Sequence, residues 1–219
     1  MIELKNICFA YDGNPVLRNV NLSINKGEAI ALCGANGSGK STLLKLINGI
    51  IFPEIGEYTF ENRRITSDLM RDHKYSKYFH QRLGFVWQNP DVQLFCGSVE
   101  EELAFAPEQM GLPEIEVKQR VEDTLKLFGI EKLRYRAPYY LSGGEKKKVA
   151  IASILTMNPS IWIFDEPLSA LDEKTKTWLV DFLLELKVAG KTIIFSSHDT
   201  NLIKRLADRC LNMTNSSQS

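Results

Sequence analysis

The sequence predicts an α/β protein in which helices flank a parallel or mixed sheet. Three apolar runs carry this prediction, because residues 28–33, 161–164 and 191–197 each have the pattern of a buried strand. Polar residues follow each run, and doubly wound proteins bind ligands where the carboxyl ends of their strands meet. With 219 residues, 44% of them hydrophobic and 25% charged, the chain has the composition of a globular protein with a sizeable core.

The first of these strands leads into a glycine-rich segment, residues 34–42, which reads Gly-Ala-Asn-Gly-Ser-Gly-Lys-Ser-Thr. It fits the phosphate-binding pattern G-x-x-x-x-G-K-[ST], and residues 42–48 have the pattern of a helix. Such a turn points backbone N–H groups at an anion, and the helix N-terminus adds partial positive charge. Lys40 can then reach the β- and γ-phosphates, and the Ser41 hydroxyl can bind Mg²⁺. The segment therefore predicts a P-loop NTPase core with these nucleotide-binding residues: Gly34, Asn36, Gly37, Ser38, Gly39, Lys40, Ser41 and Thr42.

Two other interpretations of this segment are weaker. The glycines alone fit a turn that merely caps a helix, but a strand, a loop, a Lys-Ser pair and a helix in this order favour the phosphate site. Residues 37–39 also supply the G-x-G of a dinucleotide-binding turn, but Thr42 stands where the third glycine is needed.

Charge and cysteine content narrow the classes of partner and compartment. Lys plus Arg and Asp plus Glu both number 27, so the net charge of zero gives no support to nucleic acid as a partner. No apolar run approaches the roughly 18 residues of a membrane span, and the N-terminus is charged rather than secretory. Four scattered cysteines without a C-x-x-C pair fit the reduced thiols of a cytosolic protein: Cys8, Cys33, Cys96 and Cys210.

The N-terminal part of the chain predicts an antiparallel β subdomain. Residues 2–9 and 16–24 alternate apolar and polar side chains around a turn at 12–15, and residues 56–60 and 83–87 continue the β pattern. The polar stretch 68–81 is expected to be a surface loop with a helical turn.

Tyr11 stands just before the first turn of that subdomain. An aromatic ring there either stacks on an adenine ring or is a half-buried tyrosine at a strand end.

The segment after the strand at 83–87 combines a polar and an apolar signal. Gln88 directly follows the strand, where its amide oxygen can face a metal ion or a water, although an ordinary turn glutamine fits as well. Leu94 and Phe95 are apolar residues in what should be an exposed loop.

A helical subdomain, about residues 98–156, is expected to be inserted into the core. Ser98 and Glu101 fit a capping box that opens a helix, and Gly129 is expected to stop one. The apolar stripe between them consists of Ile115, Val121, Leu125 and Phe128.

A second glycine-rich segment, residues 141–145, opens the last helix of this subdomain. Ser142 and Glu145 have the spacing of a capping box, which is the simpler interpretation. Gly143 and Gly144 leave the first N–H groups of the helix open to an outside anion, as in the first loop. Residues 146–148 are three lysines in the same turn, where the helix dipole disfavours positive charge unless a phosphate lies nearby.

Carboxylates follow the strand at 161–164. Asp165 is placed to hold Mg²⁺ and Glu166 to polarise an attacking water as a general base. Asp172 is a plausible N-cap of the next helix. His198, after the last strong strand, either contacts a γ-phosphate or caps a helix.

In this order, these pieces resemble the nucleotide-binding subunit of an ABC transporter over about residues 2–212. The resemblance implies that Tyr11 stacks on adenine, that Gln88 senses Mg²⁺ and a membrane partner, and that Glu166 is the catalytic base, with Lys40 and His198 on the phosphates. The matching segments are 34–42, Gln88, 141–145, 161–166, 169–172 and His198.

The resemblance also explains the second anion site. In the family two cassettes, identical or paralogous, pack head to tail, so that each ATP lies between residues 34–42 of one subunit and Ser142, Gly143, Gly144 and Glu145 of the other. Asp172 would bridge the subunits. Residues 1–213 are then one ABC ATPase domain, and 214–219 is a polar tail.

Residues 88–95 and 99–107 are similar to the ATPase of energy-coupling factor (ECF) transporters, which import cobalt, nickel or vitamins. The resemblance implies that Leu94 and Phe95 receive an integral membrane scaffold protein, beside a substrate-binding subunit, at the cytoplasmic face of the membrane. Three features depart from the family: Trp87, the lysines at 146–148, and an early C-terminus that leaves nucleotide-independent dimerisation in doubt.

Other classes within the same family remain possible from the sequence. One is a soluble ABC ATPase of translation or DNA repair, but no heptad run separates residue 42 from 141 and only one cassette is present. Another is the ATPase of a different importer class. A third is an inactive regulatory cassette, and four residues argue against it: Lys40, Asp165, Glu166 and His198.

Overall fold

A computed structural model of the chain describes residues 1–213, so the polar tail expected at 214–219 lies outside the described residues. None of the helices in the described range is long and apolar enough to cross a bilayer. The elements are, in order, β1 (Ile2–Tyr11), β2 (Asn14–Ile24), β3 (Ala29–Cys33), α1 (Lys40–Ile47), β4 (Ile55–Phe60), β5 (Arg63–Arg64), α2 (Ser67–Arg71), α3 (His73–Arg82), β6 (Leu83–Val86), α4 (Val99–Gln109), α5 (Glu114–Phe128), α6 (Gly143–Leu155), β7 (Ile161–Phe164), α7 (Glu173–Val188), β8 (Thr192–Ser196), α8 (Thr200–Leu206) and β9 (Arg209–Asn212).

A five-stranded sheet with the order β6-β7-β8-β3-β9 forms the core, and every pair of neighbouring strands in it is parallel. Strands β6, β7 and β8 are buried along their whole length, as expected for a parallel sheet covered on both faces. Their carboxyl ends all reach the same edge, which is also where β3 ends and the glycine-rich loop begins. This confirms the predicted α/β core.

A second sheet with the order β2-β1-β4-β5 is antiparallel and confirms the predicted N-terminal β subdomain. Its first hairpin turns more tightly than expected, because Tyr11 pairs with Asn14 and only Asp12 and Gly13 lie between them. Both turn residues have positive φ, 48° and 77°, the conformation that two-residue Asp-Gly hairpins favour.

The helices α4, α5 and α6 pack against one another between β6 and β7 in the chain. The Ser98 hydroxyl caps α4 as expected, but the Glu101 carboxylate accepts the N–H of Gly97 rather than that of Ser98, so the predicted capping box is only half formed. Gly129 ends α5 with φ 61°. The predicted apolar stripe of α5 was wrong at Ile115, which is 81% exposed in the first turn, whereas Val117 points into the core. Val117 and Val121 lie four residues apart and so share one face of α5. Ile115 lies six residues before Val121 and therefore falls on a different face.

Residues 68–81 are not a loop with a helical turn, as the polar composition suggested, but form most of α2 and α3. Asp72 begins α3 because its carboxylate accepts the N–H groups of Lys74 and Tyr75. Tyr75 and Phe79 lie four residues apart and are buried on one face of α3. Two buried aromatic side chains in ten residues were enough to hold this otherwise polar helix.

Candidate active site

The loop between β3 and α1 has a backbone that only glycine adopts readily at three positions. Gly34, Gly37 and Gly39 have φ values of 146°, 79° and 93°. Gly34 is also closely packed, because a Cβ atom there would lie 2.5 Å from the carbonyl oxygen of Met213. Gly39 is the N-cap of α1, so the loop ends on the N-terminus of a helix, as a phosphate site requires.

Lys40 begins α1 and turns its side chain back over the loop. Its ammonium donates to the carbonyl oxygens of Gly34 at 2.8 Å and Ala35 at 3.1 Å, and it lies 3.8 Å from Glu166 Oε1. These contacts hold a nearly buried positive charge within the loop.

Asp165 joins three elements at the carboxyl edge of the parallel sheet. Its Oδ1 accepts the hydroxyl of Ser41 at 3.0 Å and that of Ser196 at 2.7 Å. Ser41 lies in α1, Asp165 directly follows β7, and Ser196 ends β8, so one carboxylate oxygen connects the glycine-rich loop to both central strands. Asp165 is 5% exposed.

Glu166 is held in a strained conformation beside this group. Its φ is 42°, a left-handed value that costs a non-glycine residue on the order of 1–3 kcal/mol. The Ser196 hydroxyl accepts the Glu166 N–H at 2.8 Å, and His198 Nδ1 lies 3.0 Å from Glu166 Oε2. The other carboxylate oxygen, Oε1, is buried and has no hydrogen-bond partner among the described residues. The Lys40 ammonium at 3.8 Å is beyond hydrogen-bond distance, so this oxygen is free to accept a hydrogen bond from a ligand.

These groups face a cavity of about 350 Å³. His198 is not among the lining residues but contacts one of them, Glu166, and it does not cap α8, because Asp199 does so. Tyr11 is 41% exposed at the end of β1, packs edge-to-face on Phe9, and is not among the lining residues. The cavity is lined by Val16, Asn36, Gly37, Gly39, Lys40, Ser41, Thr42, Gln88 and Glu166.

Gln88 enters this cavity from the end of β6. Its side-chain amide donates to the Ser169 hydroxyl over a long contact of 3.4 Å. Its backbone carbonyl oxygen accepts a hydrogen bond from the ammonium of Lys147 at 2.9 Å.

The second glycine-rich segment lies apart from this cavity. Ser142 and Glu145 form a complete capping box, because the Ser142 hydroxyl accepts the Glu145 N–H and the Glu145 carboxylate accepts the Ser142 N–H at 2.8 Å. The two donors of Ser142 lower the pKa of Glu145. Space around Gly143 is open, whereas a Cβ atom on Gly144 would lie 2.9 Å from the Thr175 hydroxyl.

This segment lines its own cavity of about 480 Å³, together with Asp172 and Thr175. Asp172 caps α7, because its carboxylate accepts hydrogen bonds from the N–H of Thr175 at 3.0 Å and from the Thr175 hydroxyl at 2.8 Å. These two hydrogen bonds also lower the pKa of Asp172. The residues lining the two cavities do not overlap. In one chain, the two predicted anion sites are therefore separate.

Of the three lysines after this segment, Lys148 lines the second cavity together with the segment, whereas Lys146 and Lys147 do not. Successive residues of a helix point about 100° apart, so the three side chains diverge. Lys146 pairs with Asp91 at 2.7 Å, Lys147 is buried, and Lys148 lies over the ring of Trp178. Lys147, in particular, was missed as a candidate site residue, because a lysine in a charged run normally stays in solvent.

The expected pair of exposed apolar residues is only half present. Phe95 is 66% exposed and packs edge-to-face on Phe105 at 4.9 Å between ring centroids. Leu94 is half-buried instead, because it packs against the core. The loop is held by buried Glu102, whose carboxylate accepts the N–H groups of Phe95 and Cys96 at 3.0 Å and 2.8 Å.

The polar groups of the larger site fit Mg²⁺ and a polyphosphate. Ser41 and Asp165 place two hard oxygen atoms 3.0 Å apart beside the phosphate loop. No cluster of three or more His, Cys, Asp or Glu is present among residues 1–213, so at most two such side chains would bind a metal here. That suits Mg²⁺, which is usually bound by one or two carboxylates and completed by phosphate oxygens and water.

Comparison with known proteins agrees with this geometry. The family model of the ABC transporter matches residues 17–169. A putative ABC transporter ATP-binding protein of Clostridium acetobutylicum is 50% identical over 96% of this chain and 88% of its own. The nickel import ATP-binding protein LarO of Lactiplantibacillus plantarum is 46% identical over 95% of this chain and 87% of its own. An energy-coupling factor transporter ATP-binding protein of Methanothermobacter thermautotrophicus is 45% identical over 95% of this chain and 66% of its own.

Two solved structures are similar over nearly the whole chain. CbiO1 of Clostridium perfringens, part of the ABC transporter complex CbiONQ, has a TM-score of 0.82 and 36% identity, covering 96% of this chain and 83% of its own. The ATP-binding cassette MJ0796, solved as a dimer in a post-hydrolysis state with ADP and Pi, has a TM-score of 0.85 and 31% identity, covering 97% of this chain and 94% of its own.

Proposed function

Because the chain belongs to the ABC transporter family, as an ATP-binding and ATP-hydrolysing subunit, we propose that it energises an importer of the energy-coupling factor type. The cargo we propose is a metal ion such as nickel or cobalt, or a vitamin. Relatives named for nickel import and for energy-coupling factor transport, each at least 45% identical over 95% of the chain, support this class over a soluble ABC ATPase.

One observation carries the hydrolytic part of the proposal: Asp165 Oδ1 accepts both Ser41 and Ser196, which fixes a carboxylate beside the phosphate loop. ATP would lie with its phosphates on the N–H groups of residues 36–42. Lys40 would exchange its two carbonyl partners for phosphate oxygens, which attract an ammonium more strongly. Ser41, Asp165 and Gln88 would hold Mg²⁺, which neutralises charge on the phosphates when bound.

Glu166 would act on the attacking water. Its unpartnered Oε1 is the acceptor that a water O–H needs, and Ser196 holds its backbone in the strained conformation that aims it there. His198 would orient the other carboxylate oxygen and approach the γ-phosphate. Catalysis is then mainly positioning and charge stabilisation around an in-line attack.

We further propose that the functional unit is a head-to-tail dimer of two cassettes. In one chain, the cavity at residues 36–42 and the cavity at Ser142 share no residue, and the open space over Gly143 fits a phosphate from outside the chain. The second subunit, identical or paralogous, would place its residues 142–145 on the ATP of the first, with Asp172 near the boundary. Tyr11 would stack on the adenine once nucleotide binds.

Phe95 is exposed at the end of residues 88–94, which we call the Gln88 loop, and would receive an integral membrane scaffold protein at the cytoplasmic face of the membrane. A substrate-binding subunit would belong to the same complex. The Phe95–Phe105 pair presents an apolar surface, and the neighbouring Leu94 packs against the core. In this arrangement residues 1–213 act as one peripheral ATPase domain.

Affinity purification of the tagged chain from detergent-solubilised membranes tests this proposal. We expect an integral membrane scaffold and a second ATPase subunit to co-purify, and deletion of the gene to reduce uptake of one cargo among radiolabelled Ni²⁺, Co²⁺ and vitamins. An active ATPase that co-purifies with no membrane protein, in cells whose uptake is unchanged, would contradict the importer assignment.

A further inference from the structure

The backbone changes its hydrogen-bonding partner abruptly where β6 ends. The carbonyl oxygen of Val86 still accepts the N–H of Asp165, at 3.1 Å, and so belongs to the parallel sheet. The next carbonyl oxygen, that of Trp87, accepts the Lys147 ammonium from α6 at 2.9 Å. The Trp87 ring itself still packs on Phe85, at 4.5 Å between centroids. The peptide between Val86 and Trp87 is thus a boundary between backbone held by the sheet and backbone held by α6.

Further bonds tie the rest of this loop to the same helix. Lys147 also donates to the Gln88 carbonyl oxygen at 2.9 Å. Lys146 pairs with Asp91 at 2.7 Å, one residue away on α6. One turn later along the helix, the carbonyl oxygen of Ala150 accepts the side-chain amide of Gln93 at 2.7 Å. Against these, the contact of the Gln88 side chain with Ser169 on the core side is long, 3.4 Å.

The burial of the Lys147 ammonium is energetically unfavourable. It is 1% exposed, and its partners are two backbone carbonyl oxygens rather than a carboxylate. Burial lowers the pKa of Lys147 to about 8, because the charged form is poorly solvated there. An apolar side chain at this position would avoid that penalty but would leave the two carbonyl oxygens without this donor, so what the buried lysine supplies is the attachment of the loop.

We propose that Lys147 is a positioning residue: by donating to the Trp87 and Gln88 carbonyl oxygens, it fixes the Gln88 loop to α6 and so sets where the Gln88 side chain enters the cavity. What the loop does there rests on the proposed function, whereas the attachment itself does not.

The test is hydrogen exchange on the nucleotide-free protein, combined with steady-state kinetics, for Lys147→Met. Loss of one typical hydrogen bond corresponds to about tenfold, so we expect the amides of Trp87, Gln93 and Leu94 to exchange about tenfold faster. The amides of Phe95 and Cys96 serve as an internal reference, because Glu102 holds them independently. We also expect kcat to fall about tenfold, with KM for Mg-ATP changed by less than about twofold, since the phosphate loop is untouched.

Lys191→Met is the matched control. It removes a partly buried lysine whose side-chain partner is Asn158 at 2.7 Å. Lys191 lies at the amino end of β8, whereas the loop follows the carboxyl end of β6, so the change should leave both readouts unchanged. Lys147→Gln keeps an N–H donor and serves if the methionine variant does not fold. We expect it to give intermediate exchange and kcat values.

Unchanged exchange at residues 87–94 in the folded variant would overturn the proposal. An equal rise throughout α6 and the sheet would do so too, because it would indicate general destabilisation. Faster exchange with an unchanged kcat would remove the positioning role. A wild-type chain without ATPase activity would instead contradict the proposed function and leave the exchange result standing.

Discussion

Replacing Glu166 by glutamine keeps the size and shape of a side chain that is 13% exposed but removes its charge and its basicity. A general base contributes about 10²–10⁴-fold to a rate, which corresponds to about 3–5 kcal/mol of transition-state stabilisation. We therefore expect kcat for ATP to fall at least about 100-fold. ATP binding should persist or tighten, because the carboxylate 3.8 Å from Lys40 no longer competes with the phosphates for the ammonium.

The assay is steady-state ATP hydrolysis together with nucleotide titration and gel filtration of Glu166→Gln. Slow turnover with retained ATP should accumulate a closed dimer. Glu173→Gln is the control, because it removes an exposed glutamate from the first turn of α7. Turnover by Glu166→Gln above about a tenth of the wild-type rate, with normal folding, would refute the assignment of Glu166 as the base.

Three other changes give defined outcomes. Phe95→Asp replaces the exposed ring that packs on Phe105 by a charged side chain. It should spare ATP hydrolysis by the isolated chain but abolish co-purification with the membrane partner. Retained co-purification would argue against that docking surface. Gly34→Ala should lower the melting temperature by several degrees and abolish nucleotide binding, because the new Cβ meets the Met213 carbonyl at 2.5 Å; an unchanged melting curve would contradict this packing. The pKa of Asp208 is held low by the Ala29 N–H and by Lys187. The contribution of Asp208 to the free energy of unfolding is therefore fully present above about pH 4 and is lost as pH falls further. Urea unfolding of the wild type and of Asp208→Asn tests this, and a difference in the free energy of unfolding that persists at lower pH would contradict that sign.

The sequence predicted the elements that follow periodicity and turn chemistry. The parallel strands β3, β7 and β8 are continuous apolar runs, which is the pattern of strands covered on both faces. The same reasoning failed for α3, where two aromatic residues in a polar stretch provide all the burial. It also missed β9, whose side chains are mostly exposed although its backbone completes the sheet beside β3.

The candidate site was predictable where one motif contains its own geometry, as residues 34–42 do. Ser196 was missed because a serine at the end of a strand has no distinguishing pattern, and its role depends on β8 lying next to β7. Lys147 was hidden within a charged run, and only the approach of the Gln88 loop to α6 gives it partners. Contacts between residues 60 or more positions apart, such as Lys147 with Trp87, arise from the packing of elements and leave no local signal.

The claim that each ATP site is completed by a second subunit is tested most directly by mixing two inactive variants. Lys40→Ala damages the phosphate loop, and Gly143→Asp places a carboxylate in the open space where a partner's phosphate would lie. In a head-to-tail mixed dimer one site carries both lesions and the other carries none. Equal mixing of the two variants should therefore restore about a quarter of the wild-type ATPase rate, since half the dimers are mixed and each has one intact site. A mixture that dimerises yet hydrolyses ATP no faster than either variant alone would show that the site is complete within one chain.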